Sequence, residues 1–227
     1  MKQVILISDP HGFPLRGVAP ATAAETAMIC PHDKPQPHAR SVEFPETWLP
    51  TQQDLPYGKR CWWVCDRIFP AAVQQLGIEA DFYWCVESDV CAAADTWQQL
   101  IAESGKRTLD GIHVHLSTRE MNPNNGWFKH PSTPGWATRH SLGAMYRFSR
   151  RAMDWLAQTA EANREVFCEV NAPSVIHREG GSTGDLKNLG WFYNGQCMQA
   201  NPKRLGMNTL LFNHPLKINT SEPVIVR

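Results

Sequence analysis

The residues best suited to chemistry are Glu87 and Asp89, in the run Asp81-Phe82-Tyr83-Trp84-Cys85-Val86-Glu87-Ser88-Asp89-Val90. An aromatic, apolar stretch that reads as a buried strand ends there in two carboxylates spaced i, i+2. Residues two apart on an extended segment point the same way, so both side chains can converge on one hard cation. Ionised carboxylates at the end of such a strand are unfavourable unless solvated, paired or metal-bound. The stretch is therefore a candidate metal and phosphate site, its oxygens suited to Mn2+ or Mg2+. The plain alternative is a pair of solvated loop charges.

Other residues sit in comparable places. Val4 to Ser8 is a short apolar run broken by Asp9-Pro10-His11-Gly12, which reads as a first strand with a loop at its carboxyl end. Asp9 is a candidate nucleotide contact, against the simpler reading of a turn. Trp127, Trp136 and Trp191 fall on stretches read as loops, where an aromatic face can stack on a sugar or a base; Trp84, Trp97 and Trp155 read as core.

The elements that must hold these residues follow from periodicity. Strands are expected at Val4–Ser8, Phe82–Val86, Ile112–Leu116 and Val166–Val170, the last closed by Pro173. Helices are expected from Lys59 to Ile68 and on from Pro70 to Leu76, stopped by Gly77, then from Asp95 to Glu103. Another is expected from Phe148, with Ser149 as its cap and Phe148 and Met153 as a hydrophobic staple. Residues from about 10 to 60 are rich in proline, histidine and alanine and read as a long irregular excursion, as do Met121 to His140. Strands alternating with helices imply an α/β layer fold with a mainly parallel central sheet flanked by helices. In such sheets ligands bind at the carboxyl ends of strands, where both Asp9 and the Glu87–Asp89 pair are placed.

Composition sets the outer bounds. A chain of 227 residues with 42% hydrophobic residues can bury the core of a single domain spanning residues 1–227. Its 22 basic and 22 acidic residues cancel, which weighs against nucleic acid held by a general positive field. Seven scattered cysteines, with Cys61 and Cys65 lacking a matching downstream pair, give little support for structural zinc. Neither a secretory leader nor a membrane-spanning stretch is visible, so a reducing cytoplasm is the expected location.

Three blocks in order carry a family resemblance. The Asp81–Val90 run resembles the core of fungal mannosyltransferase-like proteins and related bacterial families. Tyr146-Arg147-Phe148-Ser149-Arg150-Arg151-Ala152 and the segment from Phe167-Cys168-Glu169-Val170 to Val175-Ile176-His177-Arg178-Glu179-Gly180 resemble bacterial glycosyltransferases of the GT-A type. The resemblance spans about residues 60 to 182. It implies a GT-A-like, Rossmann-like domain that transfers a sugar from a nucleotide-sugar donor to a saccharide or other hydroxyl acceptor, with a divalent cation. Glu87 and Asp89 would face the cation and diphosphate, and a metal ion would bridge the leaving diphosphate oxygens. His177 would complete the metal shell, against the plain reading of a hydrogen-bonded histidine, and Glu169 would be a catalytic or acceptor-contacting carboxylate, against that of a buried carboxylate paired with Arg147 or Arg178. Arg147, Arg150, Arg151 and Arg178 are candidates for phosphate contacts, since guanidinium forks match phosphate oxygens.

Two alternatives belong to other classes. One is a glycosyltransferase-like module that binds nucleotide or saccharide without catalysis. The other is a phosphoesterase. Ser8–Gly12 resembles the opening Asp-x-His of calcineurin-like metallophosphoesterases, and Gly111-Ile112-His113-Val114-His115 resembles their closing His-x-His. The intervening Gly-Asp and Gly-Asn-His-Asp blocks of that family are missing.

Overall fold

The computed structural model describes residues 1–8, 25–31, 39–51, 60–61, 63–87, 90, 92, 94–194 and 211–213. In chain order the strands are β1 (Gln3–Ser8), β2 (Glu25–Pro31), β3 (Arg40–Val42), β4 (Phe82–Glu87), β5 (Gly111–Thr118), β6 (Arg139–Ser149), β7 (Thr183–Asp185), β8 (Phe192–Asn194) and β9 (Leu211–Asn213). The helices are α1 (Ile68–Leu76), α2 (Ala94–Ser104), α3 (Gly126–Lys129), α4 (Arg150–Thr159) and α5 (Cys168–Arg178). A 3-10 turn, Cys65–Arg67, leads into α1.

Seven strands form one sheet in the order β3-β2-β1-β4-β6-β5-β7. All neighbours are parallel except β6, which runs antiparallel to both β4 and β5. β8 and β9 make a separate parallel pair. This is the α/β class expected, with a mainly parallel sheet flanked by helices.

The sheet is covered on both faces, which is why β1 and β4 read as nearly continuous apolar runs. Val4, Leu6, Tyr83, Cys85, Tyr146 and Phe148 pack with α1, α4 and α5 through Phe69, Leu156 and Ile176. Ile5, Ile7, Trp84, Val86 and Ile112 face the other way and pack with Trp97 and Leu100 of α2. The period of two along each strand therefore feeds two cores at once.

Local signals place several boundaries. Gly77 takes φ +60 and closes α1 in a left-handed cap, a conformation that favours glycine. Ser149 caps α4 by accepting from Ala152 N. Its hydroxyl also donates to Asp110 Oδ1 at 2.9 Å, and Arg151 donates to both Asp110 oxygens at 2.6 Å. Burial pushes the Asp110 carboxyl up, but Arg151, Ser182 and Ser149 outweigh it and hold it at about 2.

Three expectations are corrected. The excursion at about 10–60 contains β2 and β3, which extend the sheet by two parallel strands. The stretch from Val166 to Val170 is not a strand: α5 begins at Cys168 and continues through Pro173. A short apolar run does not distinguish strand from buried helix, and Pro173, sixth of the eleven residues of α5, removes one backbone donor without ending the helix. The third concerns Met121–His140, which contains the short helix α3 and the first residues of β6.

Candidate functional site

β1 and β4 lie side by side in register, with Ser8 opposite Glu87 at their carboxyl ends. From β1 the chain passes outward to β2 and β3, then returns across β1 to form β4 on its other side. This is a topological switch point, where the connections diverge and leave a crevice at the carboxyl edge. Glu87 is the last residue of β4 and is half-buried. Asp9 follows Ser8 directly and Asp89 follows two residues after Glu87; both lie outside the described residues.

The antiparallel strand β6 builds the next wall. Val86 pairs with Met145, so the residues of β6 that precede Met145 continue past the end of β4. Gly143 N donates to Glu169 Oε1 at 3.0 Å, and His140 Nε2 lies 3.3 Å from Glu169 Oε2. Glu169 is in the first turn of α5, where the helix dipole favours a carboxylate. The close approach needs Gly143. A Cβ there would fall 3.1 Å from Tyr146 Oη and 3.3 Å from Glu169 Cγ.

Glu87 and Glu169 share one neighbourhood around Cys65. The Cys65 thiol meets Cys168, Sγ to Sγ, at 3.3 Å. That hydrogen bond favours the Cys65 thiolate, but burial and the charges of Glu87, Asp66 and Glu169 together push its pKa up. Asp66 is fully buried and also pushed up, by burial acting against Arg67 and Asn171. Asn171 Nδ2 donates to Asp66 Oδ2 at 2.7 Å, and Arg67 Nη2 donates to the carbonyls of Asn163 and Val166 at 2.8 and 2.9 Å. These bonds fasten the Cys65–Arg67 turn to α5 and to the segment before it. The buried Tyr146 hydroxyl, held far above its ordinary range by burial and by Cys168, Cys65, Glu169 and Asp66, belongs to the same cluster.

The remaining sequence-derived residues are placed elsewhere. His177 is eight residues beyond Glu169 on α5, about 12 Å along the axis, and is exposed with Nδ1 3.3 Å from Arg139 Nη2. A guanidinium beside the imidazole disfavours a divalent cation at that ring. Arg178 lies over the Trp136 ring at 4.4 Å and pairs with Glu179 at 3.1 Å. Arg147 is fully buried on β6, between Trp84 of β4 and Ile112 of β5. Its guanidinium donates to the carbonyls of Ser104, Arg107 and Leu109 and lies 4.0 Å over the Phe82 ring. Burial lowers it to about 10, which still leaves it charged at neutral pH.

The two histidines of the phosphoesterase-like segment part company. His113 is buried against Tyr146 and Phe148, and burial, with Arg139, lowers it to about 3. His115 is exposed and takes φ +52. Among the described residues no group of three or more His, Cys, Asp or Glu side chains is arranged to hold a metal ion.

The tryptophans also divide. Trp191 is buried, and Trp84 and Trp97 are fully so. Trp127 stacks on Phe167 with centroids 4.0 Å apart and meets Trp63 edge-on at 6.2 Å. Sequence reasoning missed His140, Asp66 and Tyr146. His140 and Asp66 were hidden because their partners, Glu169 and Asn171, are distant in sequence. The Asp66-Arg67 pair inside an otherwise apolar stretch was the one available signal.

Among the described residues no helix is long and apolar enough to cross a membrane. No protein-family model and no curated protein matches the chain. Solved structures that resemble it include a CMP:2-keto-3-deoxy-manno-octonic acid synthetase complexed with CTP, at 11% identity and TM-score 0.40, covering 82% of this chain and 90% of that one. A 4-diphosphocytidyl-2C-methyl-D-erythritol synthase matches at 12% identity and TM-score 0.43, over 81% of this chain and 87% of its own. The glucosyl-3-phosphoglycerate synthase of Mycobacterium tuberculosis, in complex with Mg2+ and uridine diphosphate, matches at 10% identity and TM-score 0.43, over 81% and 68%. Likenesses of this size carry no function across.

Proposed function

We propose that the chain is a metal-dependent glycosyltransferase of GT-A-like architecture that uses a nucleotide-sugar donor and a hydroxyl acceptor. The observation that supports this most is the meeting of Ser8 and Glu87 at a switch point of a mainly parallel sheet, the place where α/β sheets bind ligands. Glu87 and Asp89 would hold the divalent cation, and Asp9, next to Ser8, would contact the nucleotide. The cation would offset the charge that gathers on the leaving diphosphate. Glu169 would accept the proton of the acceptor hydroxyl, its carboxylate oriented by Gly143 N and His140. Arg147 takes no part in phosphate binding in this reading, because its side chain is buried and its donors already serve the carbonyls of Ser104, Arg107 and Leu109. His177 and Arg178 lie outside the proposed centre.

The test is calorimetry of the purified protein with Mn2+ and a panel of nucleoside diphosphates. At least one should bind only when the metal is present, and Glu87→Ala with Asp89→Ala should abolish that binding. Absence of binding across the whole panel overturns the proposal. Metal-dependent binding with neither donor hydrolysis nor transfer would replace it with a non-catalytic binding module.

A further inference from the structure

Cys65 and Cys168 are 103 residues apart in sequence, yet their sulfurs are in contact at 3.3 Å. Cys65 is partly accessible, whereas Cys168 is buried. Each stands at the end of an element: Cys65 opens the 3-10 turn and Cys168 is the first residue of α5. A disulfide has a sulfur–sulfur length of about 2.05 Å, so bonding requires the two sulfurs to approach by roughly 1.2 Å. Cys30, Cys61 and Cys85 are buried too; the sulfur-to-sulfur contact between Cys65 and Cys168 is the one on which the inference rests.

We propose that Cys65 and Cys168 form a reversible dithiol–disulfide modification site for hydrogen peroxide and related hydroperoxides. Cys65, the less buried residue of the two, gives up its proton and attacks one peroxide oxygen. The O–O bond breaks, the Cys65 sulfur becomes a sulfenic acid, and the second oxygen leaves as water with the released proton. The Cys168 sulfur then attacks the Cys65 sulfur. The S–O bond breaks, and hydroxide leaves as a second water with the proton from Cys168. In sum, two thiols and one peroxide give one disulfide and two waters.

The geometry favours this outcome over deeper oxidation. A resolving thiol already in contact reacts as an intramolecular partner, ahead of a second peroxide arriving from solution. The surrounding carboxylates keep the thiolate fraction small, so the first step is slow and the pair stays reduced until peroxide is abundant. The bond would tie the Cys65–Arg67 turn to the residue that precedes Glu169. The proposal does not depend on the glycosyltransferase reading, and its test uses no nucleotide.

The experiment is exposure of the full-length, reduced protein to hydrogen peroxide, followed by intact mass and non-reducing peptide mapping. The expected result is loss of two hydrogens and a cross-linked peptide pair containing Cys65 and Cys168, reversed by dithiothreitol. Closing so long a loop should raise the melting temperature by roughly 10 °C. Cys65→Ser and Cys168→Ala should each abolish the cross-link, while the wild-type peptide map decides the matter even if a variant folds poorly. Addition of two or three oxygens to Cys65 without a cross-link overturns the proposal. So does a disulfide between any other two of the seven cysteines, or thiols left unchanged.

Discussion

Glu169 and His140 face each other at 3.3 Å, bringing the first turn of α5 against the part of β6 that runs past the end of β4. The other carboxylate oxygen is fixed by Gly143 N. A carboxylate held at both oxygens keeps one orientation, which is what a proton acceptor in a crevice requires. Replacing Glu169 by Gln retains an oxygen for Gly143 N and removes the negative charge. We expect turnover of the donor that binds to fall by about 100-fold or more, with Mn2+-dependent nucleoside diphosphate affinity unchanged. Steady-state kinetics beside calorimetry checks both. Wild-type turnover in Glu169→Gln would remove Glu169 from the mechanism.

Gly143 allows that contact by having no side chain. Gly143→Ala should push α5 away or twist the Tyr146 hydroxyl aside, and overpacking of this kind costs about 1–3 kcal/mol. Urea unfolding should show that loss together with a drop in kcat larger than any change in KM, because Glu169 moves with the helix. An alanine variant with wild-type stability and kcat would mean that the closeness of β6 and α5 is unimportant.

Arg147 separates a structural role from a phosphate-binding one. Arg147→Met leaves one buried carbonyl, Ser104, and two part-buried ones, Arg107 and Leu109, without their donor and should lower stability by about 3 kcal/mol. For a chain of this size that is a fall of roughly 6–12 °C in melting temperature. The folded protein should retain its nucleotide affinity. A variant that melts normally but no longer binds would restore Arg147 to the site.

His113 gives the fold an acid sensitivity. Its folded pKa of about 3 is below the ordinary histidine value of 6.5, so below about 6.5 the unfolded chain binds a proton that the folded protein excludes. The stability is fully present above pH 6.5 and is lost as the pH falls toward 3, with an upper bound of a few kcal/mol. His113→Met should flatten the pH dependence of urea unfolding across that window. Equal slopes in variant and wild type would show that His113 is not the responsible group.

The sequence by itself determined the strands and helices whose own pattern is decisive. β1 and β4 are apolar on both faces because two layers of helix cover them, and α2 and α4 carry apolar residues at helical spacing. Gly77 and Ser149 announce their caps through backbone freedom and a hydroxyl acceptor, which are properties of single residues. The position of Glu87 at a strand end was legible for the same reason. β2, β3 and β6 were not, since their short or mixed runs become strands only when a neighbour pairs with them. The same limit applied to function: Arg147 and Glu169 were both polar residues within apolar surroundings. Only the tertiary structure decided that Arg147 is spent on three carbonyls and that Glu169 meets Gly143 and His140. Hydrogen-bond partners that lie 26 to 43 residues away leave no mark on local periodicity, so the chain has to fold before their roles can be told apart.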